Sequence, residues 1–172
     1  MNNYSITLRN LLPKEKPVLF FCIGTDRSTG DSLGPLVGKK LSEKGLPVFG
    51  TIDDPVHAAN IADTIEIVKQ DYPDHTIVAI DAALGRDIGA IKIKPGPVKP
   101  GAGVHKQLPE VGDVHIIGVV NIAGFMEYFV LQNTRLALVM KMADEIAASC
   151  MEALKTGEGE QDDGSLRLTT VV

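Results

Sequence analysis

The sequence predicts an α/β fold, a three-layer αβα sandwich in which a doubly wound, mostly parallel sheet lies between two layers of helices. Continuous apolar runs at 17–23 and 76–80 are typical of strands buried on both faces, as the strands of parallel sheets are. Helix-like segments separate these runs and a short run at 47–50, which gives the order β-α-β-α-β along the chain. The length of 172 residues fits one domain.

A polar loop joins the first strand to the first helix of this pattern. The strand PVLFFCI ends before Gly24, and the loop GTDRSTGDS that follows is rich in residues that favour turns and helix starts. The segment LGPLVGKKLSEKG then has helical spacing and a stop signal at Gly45. Because proline is tolerated only in the first turn of a helix, Pro35 places the helix start close to Asp31.

The next elements lead to a second aspartate. The segment that follows Pro55 has apolar residues at helical spacing and ends before Pro73. The fully apolar strand TIVAI at 76–80 comes next, and we expect Asp81 to close it.

The second half of the chain has a less regular pattern. The segment IGAIKIK at 88–94 alternates as a strand with one wet face does, and PGPVKPGAG at 95–103 predicts a loop. The segment VHIIGVV at 114–120 predicts another buried strand, and the longest helix is expected from 134 to 155. A smaller irregular section is therefore expected from about 85 to 113.

The ends of the chain are expected to lie outside the core. We expect one domain over residues 1–172 with its core at about 17–155, and an acidic, glycine-rich tail at 156–172 that is mobile. The terminal LRLTTVV either adds an edge strand or extends from the domain.

Composition and charge exclude several classes of function. The net charge of −5 argues against a general binder of nucleic acid or anionic membranes. The chain shows neither a secretory leader nor a membrane-spanning run, and Cys22 and Cys150 lie in apolar segments without metal or redox spacing. We therefore expect a cytoplasmic protein with reduced core thiols, no cofactor and no metal. A homo-oligomer is left open.

Two aspartates are the candidate active site. In open α/β sheets, ligands bind beyond the carboxyl ends of strands where connections diverge. With a 2-1-3 strand order, the strands at 17–23 and 76–80 are neighbours, so Asp31 and Asp81 are expected side by side. Two close carboxylates do not ionise independently, which provides a base and an acid in one site. A nearby helix N-terminus favours Asp31 as the ionised base, and desolvation favours Asp81 as the proton carrier.

Each aspartate also has a purely structural interpretation. Asp31 fits a helix cap, and Asp81 fits a strand-end residue that holds backbone amides. Their placement at one sheet edge favours the functional interpretation.

The motifs around these aspartates resemble those of a known family. The stretches GTDRSTGDSLGP at 24–35 and AIDAALGR at 79–86 are similar to those of spore germination proteases, and still more to those of the short YyaC-type sporulation proteins. The resemblance extends through PGAGVHKQLPEVGDVHIIGVVNIAGF at 100–125. A more distant likeness is to hydrogenase-maturation endopeptidases, which have a similar fold.

The resemblance implies an endopeptidase that acts in sporulation or germination, in the cytoplasm of the forespore or spore core. Its implied substrates are small acid-soluble spore proteins, with no direct contact to nucleic acid or membrane. The catalytic positions are Asp31 and Asp81. The implied substrate-binding residues are Gly24, Thr25, Ser32 and His105.

Two alternatives remain open beside the peptidase. The first is a metal-binding maturation-type protein whose ligands are Asp31, Asp81 and His105. The second is a non-catalytic sporulation protein that serves as a binding module. The block Gly30-Asp31-Ser32-Leu33 also spells the motif of GDSL esterases, but it begins well past the strand and lacks that family's C-terminal D-x-x-H, so we interpret Ser32 as a helix-start residue.

Overall fold

The protein is a five-stranded sheet between layers of helices, seen in a computed structural model that describes residues 1–101 and 108–155. The strands are β1 Val18–Cys22, β2 Val48–Phe49, β3 Thr76–Gly85, β4 Ile91–Pro95 and β5 Val114–Ile122. The helices are α1 Asn3–Leu11, α2 Leu33–Ser42, α3 Ile61–Asp71, α4 Glu127–Gln132 and α5 Leu136–Leu154, and a 3₁₀ turn at Gly30–Ser32 precedes α2.

The sheet order is β2-β1-β3-β5-β4, and only β4 runs antiparallel to its neighbour. The predicted mostly parallel, doubly wound sheet and the predicted 2-1-3 order of its first three strands are therefore confirmed. The strand predicted at 88–94 is β4, which begins three residues later, and an isolated antiparallel bridge joins Val98 to Val111. Within the described residues, the section expected to be irregular thus contains one antiparallel bridge that the sequence did not predict.

Two apolar clusters hold the layers together, one on each face of the sheet. Alternate residues along a strand point to opposite faces. On one face, Phe20 and Ile80 pack with α1, α2 and α5, and on the other, Phe21 and Ala79 pack with α3. Both free cysteines, Cys22 and Cys150, are buried. Burial raises the pKa of both thiols, since the charged thiolate is disfavoured in an apolar core.

The first helix belongs to the core, which corrects the prediction that the core begins at about residue 17. Leu8 of α1 is fully buried against the α5 face. The Arg9 guanidinium donates to the backbone oxygens of Ala153, Glu152 and Lys155, which are carbonyls at the end of α5, where helical partners run out. The helix α1 is therefore fixed by contacts distant in sequence.

The expected terminal tail and the LRLTTVV segment lie outside the described residues. The longest helix, α5, begins and ends within two residues of its predicted limits. Its Leu136 and Met140 are exposed, whereas Met142 and Ile146 are buried. In the part of the chain that the structure covers, no helix has the length and apolar character that crossing a bilayer requires.

The start of α2 is packed directly on the end of β1. A Cβ atom at Gly34 would lie 2.1 Å from the backbone oxygen of Ile23. Glycine is needed here because the two backbones are closer than any side chain allows.

Substitution of Gly34 by alanine is expected to destabilise the protein by about 3 kcal/mol or more, at the upper end of the cost of overpacking, because a backbone atom cannot move aside. Urea unfolding measures the loss. The matched control is Gly85→Ala, whose Cβ would meet only side-chain atoms of Val119, the nearer at 3.0 Å. An equal loss of stability in the two variants would contradict this explanation.

Candidate active site

The candidate site lies at the carboxyl edge of the sheet, where β1 ends and its neighbour β3 continues. The last paired residues of these strands are Cys22 and Ile80, and the Ile23 amide donates to the Ile80 oxygen at 2.8 Å. Beyond this point β3 remains paired with β5 as far as Gly85. The sequence predicted that Asp81 closes the strand, and this prediction is wrong. Asp81 lies within β3, at the first position that has no partner on β1.

The loop that follows β1 places Asp31 beside this position. The Thr25 amide donates to the Asp31 backbone oxygen at 3.1 Å, which closes the loop on itself. A Cβ atom at Gly24 would lie 1.9 Å from the same oxygen, and Gly24 has a φ of +142°. Glycine is thus required at position 24 for two reasons: only glycine readily adopts this φ, and no Cβ atom fits beside the Asp31 oxygen. The turn that carries Asp31 packs against β3.

Asp81 has the most perturbed carboxyl group of the site. Its side chain is partly buried, and the Ala82 amide donates to its Oδ1 at 2.9 Å. The pKa of Asp81 is raised to about 8: burial is the largest cause, the Ala82 hydrogen bond counteracts it, and the negative charge of Asp31 adds to it. The proton is therefore retained near neutral pH.

Asp31 is shifted in the same direction by its surroundings. Burial raises the pKa of Asp31, and the nearby Ser28 hydroxyl counteracts this by lowering it. Ser28 is itself buried, with 5% of its surface exposed. The carboxyls of Asp31 and Asp81 are electrostatically coupled. Asp31 is the one that more readily carries the negative charge, because the Ser28 hydroxyl lowers its pKa.

The residues predicted to bind substrate are distributed around this loop. Gly24 and Thr25 are partly exposed. Ser32 is buried, and its hydroxyl donates to the Thr29 oxygen at 2.6 Å, so its observed contact is within the turn. His105 lies outside the described residues. The assignment of these four residues to substrate binding stays a prediction.

The turn that carries Asp31 is fixed from its other side by α4 and the start of α5. A Cβ atom at Gly30 would lie 3.0 Å from the Leu131 backbone oxygen and 3.1 Å from the Thr134 hydroxyl. The Asn121 side chain, near the end of β5, donates to Thr134 Oγ1 at 3.2 Å and to the Val130 oxygen at 3.3 Å. These contacts connect the end of β5 to the turn and so locate Asp31.

An exposed apolar surface adjoins the same edge. It comprises large side chains between the end of β5 and α4, namely Ile122, Phe125, Met126, Tyr128 and Phe129. Phe125 is 86% exposed, and Met126 has a left-handed backbone with a φ of 56°, which is uncommon for a residue with a side chain. A large exposed apolar patch is typical of a surface that binds another molecule.

Sequence reasoning missed both this surface and Ser28. The aromatic cluster FMEYF was a usable signal in a chain with only 5 Phe and 3 Tyr. Ser28 gave no signal, because a serine in a polar loop is indistinguishable from its neighbours until its burial is known. Within residues 1–101 and 108–155, no group of three or more His, Cys, Asp and Glu side chains is placed to hold a metal ion. The metal set that includes His105 is not tested by this finding.

The sequence matches known proteins along most of its length. The family described as "Protein of unknown function (DUF1256)" matches residues 1–149. The protein named "Uncharacterized protein YyaC", from Bacillus subtilis (strain 168), is 58% identical over 137 residues, which are 77% of this chain and 67% of that protein. The predicted resemblance to YyaC-type proteins is therefore confirmed.

Two crystal structures of hydrolases share the fold. The NiFe hydrogenase maturation protease HycI from Thermococcus kodakarensis KOD1 has a TM-score of 0.59 and 20% identity, over 87% of this chain and 99% of that one. A peptidyl-tRNA hydrolase from Acinetobacter baumannii has a TM-score of 0.51 and 11% identity, over 77% of this chain and 83% of that one. At these identities the likeness shows the fold alone, and it confirms the distant structural similarity expected with maturation endopeptidases.

The raised pKa of Asp81 predicts how stability changes with pH. Between about pH 4, where an unfolded aspartate releases its proton, and about pH 8, the folded state binds the additional proton. The free energy of unfolding is therefore expected to fall as pH rises through this window, by at most about 1.4 kcal/mol per pH unit for this group.

Asp81→Asn, which resembles the protonated side chain, is expected to lose most of this pH dependence in urea unfolding between pH 5 and pH 8. Asp74→Asn is the matched control, because Asp74 is exposed in the turn that precedes β3. The same slope in Asp81→Asn and the wild type would show that Asp81 titrates as an ordinary aspartate.

Proposed function

This chain belongs to the DUF1256 family, and we propose that it is an endopeptidase that hydrolyses peptide bonds with the carboxyl pair Asp31 and Asp81. The observation that carries the proposal is the coupling of two carboxyls at the carboxyl edge of the sheet, where one of them has a pKa of about 8. One protonated and one ionised carboxyl are the groups that amide hydrolysis by water needs.

The difference between the two environments assigns the roles. Asp31, whose raised pKa is counteracted by Ser28, is the base that removes a proton from the attacking water. Asp81, which retains its proton to about pH 8, is the acid. The water oxygen bonds to the amide carbon, the C–N bond breaks, and the leaving nitrogen receives the Asp81 proton. Transfer of the water proton from Asp31 to Asp81 restores the starting state.

A protein or peptide substrate fits the surface beside the pair. Ile122, Phe125 and Phe129 expose apolar area next to α4, and α4 packs against the turn that carries Asp31. Such a surface suits the apolar side chains of an extended or unfolded polypeptide. A compact polar metabolite would leave it unused.

The fold is shared with hydrolases, which agrees with the proposed activity but is not the evidence for it. The neighbours in fold are described as a maturation protease and a peptidyl-tRNA hydrolase, both of which cleave a bond with water. Because one fold supports many chemistries, the support comes from the carboxyl pair.

We further propose a role in sporulation or germination, in the cytoplasm of the forespore or spore core, with small acid-soluble spore proteins as substrates. The support is the similarity of the motifs at 24–35 and 79–86 to those of spore germination proteases. Both motifs contain one member of the carboxyl pair.

Asp31→Asn and Asp81→Asn are each expected to lower the rate of peptide-bond cleavage by about 100-fold or more, which is the usual contribution of general acid–base catalysis. The assay incubates purified protein with a mixture of small acid-soluble spore proteins and identifies new termini by mass spectrometry. The double variant is expected to be little slower than either single variant, because the two groups act in one step.

Asp74→Asn is the control for loss of an aspartate away from the site, and it is expected to cleave at the wild-type rate. Chelator is also expected to leave the rate unchanged. Wild-type cleavage by Asp81→Asn would overturn the mechanism, and a loss of activity in chelator that added metal restores would favour the metal-binding alternative.

A further inference from the structure

Ser28 has a buried hydroxyl with no hydrogen-bond partner. It lies in the loop between β1 and the 3₁₀ turn, is 5% exposed, and its Oγ is inaccessible to solvent. An unbonded buried hydroxyl costs about 1–3 kcal/mol and calls for an explanation. The buried hydroxyls of Ser32 and Thr64, by contrast, donate to the backbone oxygens of Thr29 and Asn60 at 2.6 and 2.9 Å.

The neighbour of this hydroxyl is the carboxyl group of Asp31. Ser28 lies three residues before Asp31, and its hydroxyl is near enough to lower the pKa of that carboxyl. The Ser28 hydroxyl nevertheless forms no hydrogen bond in the structure. The Ser28 hydroxyl is thus an unused donor beside the Asp31 carboxyl, whose charge changes during the proposed reaction.

We propose that Ser28 is a positioning residue of the site, whose hydroxyl donates to the Asp31 carboxylate and holds it as the ionised member of the pair. The proposal rests on the function proposed above. It gives Ser28 no contact with substrate: Ser28 acts through Asp31. A hydrogen bond to a charged group is worth about 1.5–3 kcal/mol, which is enough to decide which of two coupled carboxyls carries the charge.

Few other charges act on Asp31 from the elements packed around its turn. Those elements carry Asp81 on β3, Glu127 on α4, Arg135 before α5, Lys141, Asp144, Glu145 and Glu152 on α5, Asp26 and Arg27 in the loop itself, and Lys39 and Lys40 on α2. Asp26, Arg27 and Arg135 are exposed to water, which screens them. Both α2 lysines are paired, with Asp53 and Asp144. Among these groups, Asp81 is the one whose charge is coupled to that of Asp31, and the Ser28 hydroxyl is the one that lowers the pKa of Asp31.

Carbon-13 NMR titration of the Asp31 carboxyl in Ser28→Ala tests this role in the absence of substrate. The midpoint of the titration is expected to move about one pH unit higher, the shift that loss of one hydrogen bond to a charged group produces. The acid limb of the cleavage profile is expected to move in the same direction. The variant is expected to fold, because the hydroxyl that it removes makes no hydrogen bond to the backbone or to another residue in the structure.

Thr64→Val is the control, since it removes a buried hydroxyl from α3, away from the pair. It is expected to leave the Asp31 titration unchanged. An unchanged midpoint in Ser28→Ala, or an equal shift in Thr64→Val, would overturn the proposal. Absence of cleavage by the wild type, together with the predicted shift in Ser28→Ala, would count against the peptidase alone.

Discussion

The site depends on the unequal lengths of two neighbouring strands. β1 ends at Cys22, whereas β3 remains paired with β5 as far as Gly85. The space beside β3 is taken by the loop that returns from β1 to α2, and the loop fits only because Gly24 and Gly34 have no side chains. A carboxyl group within a strand and a carboxyl group at a helix start are thereby brought together, and neither can ionise without affecting the other.

The sequence predicted the sheet well, because the order and burial of its strands follow from local patterns. Buried parallel strands read as apolar runs, and a proline early in α2 fixed the position of Asp31. The continuation of β3 beyond Ile80 could not be predicted from local patterns, because the residues AALG have no alternation typical of a strand. They are extended because they pair with β5, which is distant in sequence. The helix α1 was missed for a similar reason: Arg9 fixes it to the end of α5, far away in the sequence.

The sequence indicates which ionisable groups lie at the candidate site, but it does not indicate how far their pKa values are shifted. That two close carboxyls would share a proton follows from their spacing alone, but the size of the effect depends on burial. Asp81 was expected to be desolvated, and it is, although it lies within a strand. The contribution of Ser28 could not be expected, because only the folded loop shows that its hydroxyl is enclosed without a hydrogen-bond partner. The exposed apolar surface at Phe125 is the place where the proposed peptide substrate would bind.

The most direct test of the account is the titration of the Asp81 carboxyl itself, followed by carbon-13 NMR in the wild type and in Asp31→Asn. A midpoint near pH 8 is expected in the wild type, because burial and the charge of Asp31 both raise the pKa of Asp81. In Asp31→Asn the midpoint should fall but remain well above that of an ordinary aspartate, since burial is the larger cause. A wild-type midpoint near pH 4, or one that does not change when Asp31 is replaced, would contradict the coupled pair.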